Sequence, residues 1–409
     1  YERYLISKDK SWLLVYGRRK TGKTFLLRRW ARWKLYITIG RSGLCLVESR
    51  DNEPRFDYLL NSLKEAVKTI RKGNTAVIDE FQRIPMEFWD YLALARQEAL
   101  GRLILCGSSM AIVRKVFDRR SPLLGIFKPV KIDLISPVDA LKALTSMFKP
   151  KEAILWSVLI RDPWILNLLE PSGSPVRALV TNYTSLTASV SGLIGEVFEE
   201  EERALTRLYD AALRLLGLGY WSSRDLAQKL YEVRLIERPE PGIVTGLLNQ
   251  LSEMGLVERV KLWRTRGARV YYRHRSSLVS LLMYIDEGYK EFNVKPNEED
   301  ILSRLGVEVQ FYLGELLASI KGVKRAYTLL PRGEGDIDIV LMDSGRPIIG
   351  YEVKIGEIDR NEALRAIERI KKCGIPRTGL ISLSEKPPNL ADEVLGPEDV
   401  IELVVKKKT

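Results

Sequence analysis

A glycine-rich segment near the start of the chain has the residue types and spacing of a phosphate-binding loop. Residues 17–24 read Gly-Arg-Arg-Lys-Thr-Gly-Lys-Thr, which fits the pattern GxxxxGK[ST] between an apolar run and a helical pattern. Its glycines let backbone N–H groups turn towards phosphate oxygens, Lys23 adds a positive charge, and Thr24 offers a hydroxyl to Mg²⁺. The segment therefore predicts binding of ATP with its magnesium ion.

Two adjacent carboxylates follow a second apolar run, Ala76-Val-Ile-Asp79-Glu80. We expect Asp79 to hold Mg²⁺ through water or Thr24, and Glu80 to orient and deprotonate the attacking water. An apolar strand that ends in Asp-Glu can also simply meet solvent. Its position downstream of the phosphate loop favours the catalytic interpretation.

A third polar segment, Gly107-Ser108-Ser109, follows the apolar run Leu103–Cys106. Ligands bind beyond the carboxyl ends of parallel strands, so either serine could sense the γ-phosphate. Serine is also a favoured helix cap, and a helix is expected over Met110–Phe117. Both interpretations remain open. The residues expected to contact the nucleotide are Gly17, Arg18, Arg19, Lys20, Thr21, Gly22, Lys23, Thr24, Phe25, Asp79 and Ser108.

A second set of carboxylates lies in a predicted β-hairpin near the C-terminus. If the turn is centred on Gly345, Asp338 lies opposite Glu352, and Lys354 shares a face with Glu352. Two carboxylates and a lysine at one sheet edge suit a divalent-metal site for Mg²⁺, or Mn²⁺, in which the lysine activates water.

Glu308, on the preceding predicted helix, could complete this metal site, and Asp336 is an alternative ligand because it shares a strand face with Asp338. The hypothesis is a metal-dependent phosphodiesterase that uses Asp338, Glu352 and Lys354. The alternatives are an inactive relative of such enzymes and ordinary cross-strand charge pairing.

A helix–helix–hairpin pattern over residues 222–275 is typical of a winged helix-turn-helix. Its hairpin segment, residues 259–275, is rich in basic residues and contains no acidic one, so we expect it to bind DNA phosphates. The alternative is a protein-binding winged helix with solvated charges. We expect His274 to be structural. The predicted DNA contacts are Arg259, Lys261, Arg264, Arg266, Arg269, Arg273 and Arg275.

The elements that must position these residues alternate in the N-terminal third, which favours a parallel α/β sheet. Strands are expected at Trp12–Tyr16, Leu44–Val47, Ala76–Ile78, Leu103–Cys106 and Val130–Leu134, and helices at Lys23–Lys34, Phe56–Lys72 and Met86–Ala99. Helices follow to about residue 196, and an α/β pattern returns after about residue 290.

Together, Tyr-Gly-Arg-Arg-x-x-Gly-Lys-Thr, Ile-Asp-Glu-Phe-Gln, Gly-Ser-Ser and Ser121-Pro-Leu-Leu-Gly125 resemble the archaeal AAA+/STAND-type ATPase family. Members often carry a winged helix and a DUF234-type C-terminal domain, whose pattern here is similar to PD-(D/E)xK nucleases. The resemblance implies a P-loop NTPase core at 1–135, a helical lid at 136–196, a winged helix at 197–289 and a small α/β restriction-endonuclease-like domain at 290–409.

Composition narrows the classes of function. The chain has 409 residues, a formal charge of +12, three cysteines and one histidine. Histidine triads and multi-histidine metal sites are thereby excluded, and a disulfide framework is not expected. The basic excess favours nucleic acid, DNA above all, as the partner. No apolar run reaches the ~20 residues of a membrane span, so we expect a cytoplasmic protein, with a homo-oligomer left open.

Three functions are compatible with these patterns. The leading hypothesis is a Mg²⁺-dependent ATPase that binds DNA and could process it with a nuclease-like domain. The second is a nucleotide switch whose C-terminal domain only binds DNA or protein. The third is a DNA-binding regulator whose ATPase site is vestigial.

Overall fold

A computed structural model describes residues 2–201, 206–263, 270–289, 294–329 and 336–406. They divide into two compact units. The first unit contains described residues 2–133, 195–201 and 253–255, and the second contains those of 134–194, 206–252 and 256–406. No helix among these residues is long and apolar enough to cross a membrane.

The first unit is a three-layer α/β structure around a seven-stranded sheet of order β4-β3-β2-β5-β6-β1-β7. Strands β2, β5, β6, β1 and β7 are parallel, whereas β3 pairs antiparallel with β2 and β4. Its elements are α1 (Glu2–Lys8), β1 (Leu13–Tyr16), α2 (Lys23–Trp30), β2 (Leu35–Ile39), β3 (Leu44–Ser49), β4 (Arg55–Tyr58), α3 (Leu59–Arg71), β5 (Thr75–Asp79), α4 (Trp89–Ala95), β6 (Arg102–Gly107), α5 (Met110–Val116) and β7 (Lys128–Lys131).

The mostly parallel sheet confirms the α/β prediction for this part of the chain. Strands that are buried on both faces, such as β1 and β6, read as continuous apolar runs, which made them recognisable in the sequence. The sequence did not reveal β2 and β4. The helix predicted over Lys23–Lys34 ends at Trp30, and the one predicted over Phe56–Lys72 begins only at Leu59.

The second unit begins with helices and ends with a second sheet. Its elements are α6 (Pro137–Leu144), α7 (Pro150–Ile160), α8 (Pro175–Glu201), α9 (Thr206–Gly217), α10 (Ser223–Glu232), α11 (Pro241–Glu253), β8 (Val257–Lys261), β9 (Val270–His274), α12 (Ser277–Tyr289), α13 (Glu298–Lys321), β10 (Lys324–Leu329), β11 (Asp336–Asp343), β12 (Arg346–Lys354), α14 (Arg360–Lys372), β13 (Thr378–Ser382), β14 (Glu393–Leu395) and α15 (Pro397–Lys406). The last residues of α8 and α11 belong to the first unit.

The C-terminal sheet has the order β10-β11-β12-β13-β14, with β10, β11 and β12 antiparallel and the last two strands added in parallel. The β11–β12 turn contains Ser344 and Gly345, both at positive φ. Ile339 pairs with Tyr351, so Asp338 lies opposite Glu352, as the sequence predicted.

The first of the two units runs to Asp133 before its later segments, and the domain boundary predicted after residue 135 stays a prediction. The finer division into lid, winged helix and C-terminal domain remains a prediction, because residues 134–406 form one unit apart from the segments named above.

Candidate functional site

The phosphate loop lies between the end of β1 and the start of α2, and its first glycine is required by the packing. Gly17 has φ +148°, and a Cβ added there would lie 2.0 Å from the backbone oxygen of Ile132. Lys20 and Gly22 also have positive φ. This backbone shape turns the loop round the N-terminus of α2, where the helix dipole favours an anion.

Lys23 is folded back onto the loop. Its side chain is buried, with 7% exposed, and Nζ donates to the backbone oxygens of Gly17 and Arg18 at 2.8 Å each. Burial lowers the pKa of the Lys23 ammonium. A desolvated ammonium that is satisfied by carbonyl dipoles alone gains strongly from a phosphate anion.

Asp79 lies at the end of β5 and collects three donors. Thr24 Oγ1 donates to Oδ2 at 2.8 Å, Tyr36 donates through its hydroxyl to the same oxygen at 2.7 Å, and the Glu80 N–H donates to Oδ1 at 2.9 Å. The structure thus brings Thr24 and Asp79 together, as the sequence predicted. A hydroxyl next to a carboxylate is an oxygen donor set that suits Mg²⁺.

Glu80 turns away from Asp79 because its backbone is left-handed, with φ +60°. Gln82 Nε2 donates to Glu80 Oε2 at 2.6 Å and lies 3.1 Å from Ser108 Oγ, and Arg83 forms a 3.3 Å ion pair with the same carboxylate oxygen. Ser109, in contrast, caps α5 by accepting from Ile112 N. Of the two serines, Ser108 lies beside Gln82 and Ser109 is the helix cap, so a role for Ser108 at the nucleotide stays a prediction.

Sequence reasoning assigned no role to Gln82. The one sequence signal that could have indicated its position is Gly107, the glycine at the end of the apolar run Leu103–Cys106. A Cβ at Gly107 would lie 2.7 Å from Gln82 Oε1, so this glycine makes room for the glutamine beside Ser108.

The remaining predicted nucleotide contacts differ in accessibility. Arg18 is buried, and its backbone oxygen accepts from the Thr21 hydroxyl at 2.9 Å. Arg19 and Lys20 reach Glu196 on the last turns of α8, at 2.8 and 3.8 Å. Phe25 is 69% exposed. Glu196 carries no recognisable sequence signal.

These residues fit a nucleotide and its magnesium ion. The loop supplies a glycine-rich backbone with positive φ at the start of α2, Lys23 supplies a buried cation, and Thr24 with Asp79 supplies hard oxygen donors.

The C-terminal carboxylates are also close together, but protein groups already occupy them. Asp338 accepts from Gln310 Nε2 and from the Val353 N–H, at 2.7 Å each, and Glu352 pairs with Arg369 at 2.5 Å. Burial and the neighbouring Glu352 raise the pKa of Asp338 well above its ordinary value. Burial also raises the pKa of Glu352, against the opposing effect of Arg369.

Glu308 and Lys354 do not join this cluster, which corrects two of the predictions. Glu308 is buried in ion pairs with Arg273 and Arg304. Gln310 reaches Asp338 instead, because residues two apart on a helix face different directions. Lys354 is bound to Glu362 of α14, at 2.7 and 2.9 Å from its two oxygens.

Asp336, the alternative ligand, accepts from the Tyr327 hydroxyl. Among the residues that the structure describes, no group of three or more His, Cys, Asp or Glu side chains is placed to hold a metal. Arg369 supplies the positive charge here, and the residues do not fit a divalent ion.

The basic hairpin also requires a correction. Arg273 is 5% exposed and pairs with Glu308 and, at 2.9 Å, with Glu258, while Arg275 pairs with Glu258 at 2.8 Å. Burial alone would raise the pKa of Glu258, but Arg273, Arg325 and Arg275 lower it to about 2. Arg273 and Arg275 are therefore engaged in internal ion pairs.

Arg259 and Lys261 are exposed on β8, as a DNA contact requires. The predicted contacts Arg264, Arg266 and Arg269 lie outside the described residues. The exposed positions of α11, the second helix of the predicted winged helix-turn-helix, include Ile243, Asn249 and Glu253 but no basic residue. Exposed basic residues of this region lie on the hairpin strand and also on and after α10, at Arg224, Arg234 and Arg238.

His274 is buried, and its Nε2 lies 2.8 Å from the backbone oxygen of Leu213. Burial lowers the pKa of His274 to about 4, so its neutral ring occupies a structural position.

Comparison with known proteins identifies part of the chain. Residues 9–123 match the family model of an AAA domain, so the chain contains an ATPase-like AAA domain, in agreement with the sequence resemblance. Proteins of this class bind a nucleotide, usually with Mg²⁺. This match ends before the segments predicted as winged helix and nuclease-like domain. No curated protein matches the sequence.

Solved structures give distant likenesses. The Orc1 protein of Aeropyrum pernix in complex with DNA is 14% identical, with 69% of this chain and 88% of that chain covered and a TM-score of 0.31. The Aeropyrum pernix ORC2 protein in its ADPNP–ADP complexes is 12% identical, with coverages of 74% and 89% and a TM-score of 0.38. Cdc6p from Pyrobaculum aerophilum is 14% identical, with coverages of 68% and 90% and a TM-score of 0.26. At these TM-scores no function is taken from them.

Proposed function

We propose that this chain is a Mg²⁺-dependent ATPase whose second unit binds DNA. The AAA domain supports ATPase chemistry. The observation that carries the proposal is the contact of Thr24 with Asp79 beside the buried ammonium of Lys23. This intact arrangement disfavours a vestigial nucleotide site.

The roles of the residues follow from their present partners. Lys23 exchanges the carbonyls of Gly17 and Arg18 for phosphate oxygens, and Thr24 and Asp79 hold the metal. Mg²⁺, when bound, neutralises phosphate charge in the transition state. Glu80 positions the attacking water and accepts its proton once Gln82 and Arg83 release its carboxylate.

Support for DNA as the partner comes from Arg259 and Lys261, which are exposed on one strand of the hairpin, and from the chain's charge of +12.

For the C-terminal sheet we propose a binding role and derive no cleavage step, because Arg369, Gln310 and Glu362 occupy the groups that a nuclease would use. Cleavage of DNA by the wild-type protein with Mg²⁺ or Mn²⁺ would contradict this assignment.

Lys23→Ala tests the ATPase proposal. Turnover should fall by about 100-fold or more, as expected when one preorganised contact to the reacting phosphates is removed. The measurement is steady-state phosphate release by the full chain with Mg²⁺. Lys64→Ala is the matched control, because Lys64 is an exposed lysine of α3 in the same unit and outside the predicted nucleotide contacts, and it should keep most of the activity. Equal turnover by Lys23→Ala and wild type would refute the proposal.

A further inference from the structure

Tyr36 is a buried tyrosine that contacts the nucleotide site from behind. It lies on β2, the strand next to β5, with no side-chain exposure. Its hydroxyl donates to Asp79 Oδ2 at 2.7 Å, and Thr24 Oγ1 donates to the same oxygen at 2.8 Å. One carboxylate oxygen therefore accepts both a phosphate-loop hydroxyl and a hydroxyl from the neighbouring strand.

Tyr36 is itself held in place by charged and aromatic neighbours. The Arg28 guanidinium lies over its ring at 4.5 Å, and Arg28 makes a two-point ion pair with Glu48 at 3.0 and 2.5 Å. The Trp33 ring packs edge-on at 5.5 Å.

We propose that Tyr36 is a positioning residue for the magnesium ion, which fixes the Asp79 carboxylate in the orientation that holds the ion together with Thr24. The inference rests on the proposed function. A packing role alone would be served by phenylalanine, which has the same ring. The hydroxyl, in contrast, is aimed at the carboxylate that is expected to hold the metal together with Thr24. Groups behind a metal ligand orient it and commonly change metal affinity by 10–100-fold.

Tyr36→Phe removes this hydroxyl and keeps the ring. Asp79 Oδ2 then keeps the Thr24 hydroxyl but loses its donor from β2, so the carboxylate can rotate away from the ion. We expect the Mg²⁺-dependent part of nucleotide affinity to weaken by about tenfold. Affinity without Mg²⁺ should not change, because the phosphate loop and Lys23 remain as they are.

The experiment is equilibrium binding of a fluorescent ADP analogue to the full chain, with Mg²⁺ and with EDTA. The matched control is Tyr91→Phe, a tyrosine of α4 that packs against the core of the same domain. Tyr36→Phe should also have no further effect in an Asp79→Asn background, since coupled residues are non-additive.

Equal Mg²⁺ dependence in Tyr36→Phe and wild type would overturn the inference and leave the ATPase proposal intact. Equal loss of affinity with Mg²⁺ and with EDTA would also overturn it, because that result indicates a general packing role. If the wild type itself shows no Mg²⁺-dependent binding, the proposed function fails.

Discussion

At the scale of single residues, neighbours in sequence have separate tasks because the backbone directs them apart. Asp79 ends a strand and faces Thr24, whereas the left-handed conformation of Glu80 turns its carboxylate towards Gln82. A non-glycine residue at positive φ is uncommon and strained, and such strain concentrates at functional sites. The two carboxylates of the Asp-Glu motif therefore point in different directions and contact different partners.

Gly17 provides a residue-scale prediction. Gly17→Ala should destabilise the first unit far more than Gly22→Ala. A Cβ at position 17 meets backbone at 2.0 Å, whereas at position 22 nothing lies within 4 Å and the cost is the left-handed backbone alone, about 1 kcal/mol. Chemical unfolding of the full-length variants measures the difference. Similar unfolding midpoints for the two would show that the loop does not pack as described.

At the scale of elements, the side chains of the β8–β9 hairpin alternate between two faces. One face holds internal ion pairs and the other is exposed to solvent. Glu258 and Arg273 are directly opposite each other and face α13, whereas Arg259 and Lys261 face solvent. The charge pattern of residues 259–275 does not reveal this division. One compensating carboxylate, Glu258, lies just before the segment, and the other, Glu308, lies on α13 far along the chain.

The hairpin prediction separates structural arginines from those proposed to bind DNA. Arg273→Met should destabilise the second unit by about 3–5 kcal/mol, because it leaves Glu308 and Glu258 short of a buried partner. Arg259→Met should leave stability almost unchanged but weaken DNA binding and reduce its salt dependence.

Thermal unfolding and DNA titrations at several salt concentrations measure the two effects. Arg259→Met with wild-type DNA affinity would argue against the hairpin as the DNA contact. Arg273→Met with wild-type stability would argue against the buried ion-pair network.

At the scale of the whole molecule, the features that could be predicted from the sequence are those that depend on local patterns of residues. The phosphate loop, the buried strands and the β11–β12 register follow from glycines, apolar runs and period-two spacing. Strand β4 was not predicted because it is short and exposed, with Phe56 75% exposed. Tyr36, Gln82 and Glu196 escaped because their roles depend on contacts between residues far apart in the chain.

The single histidine gives a pH prediction for the whole chain. The folded-state pKa of His274 is about 4, against 6.5 for a free histidine, so its contribution to stability is fully present above pH 6.5 and is lost as pH falls towards 4. The loss amounts to about 3 kcal/mol. The lowered pKa of Glu258 affects stability in a lower pH range, because its contribution is lost only as pH falls from about 4.5 towards 2.

Urea unfolding at pH 7.5, 6 and 5 measures this loss. His274→Gln should remove the decline between pH 6.5 and 5, because the amide can still bond to Leu213 and does not titrate. The same decline in the variant would assign it to other groups.

The last turns of α8 carry Glu196 to Arg19 in the phosphate loop, although most of that helix belongs to the other unit. Truncation of the gene after the codon for Asp133 would thus delete a carboxylate that contacts the phosphate loop. The ATPase module is assembled from pieces that are remote in the gene, so biochemical dissection should begin from point variants of the intact polypeptide.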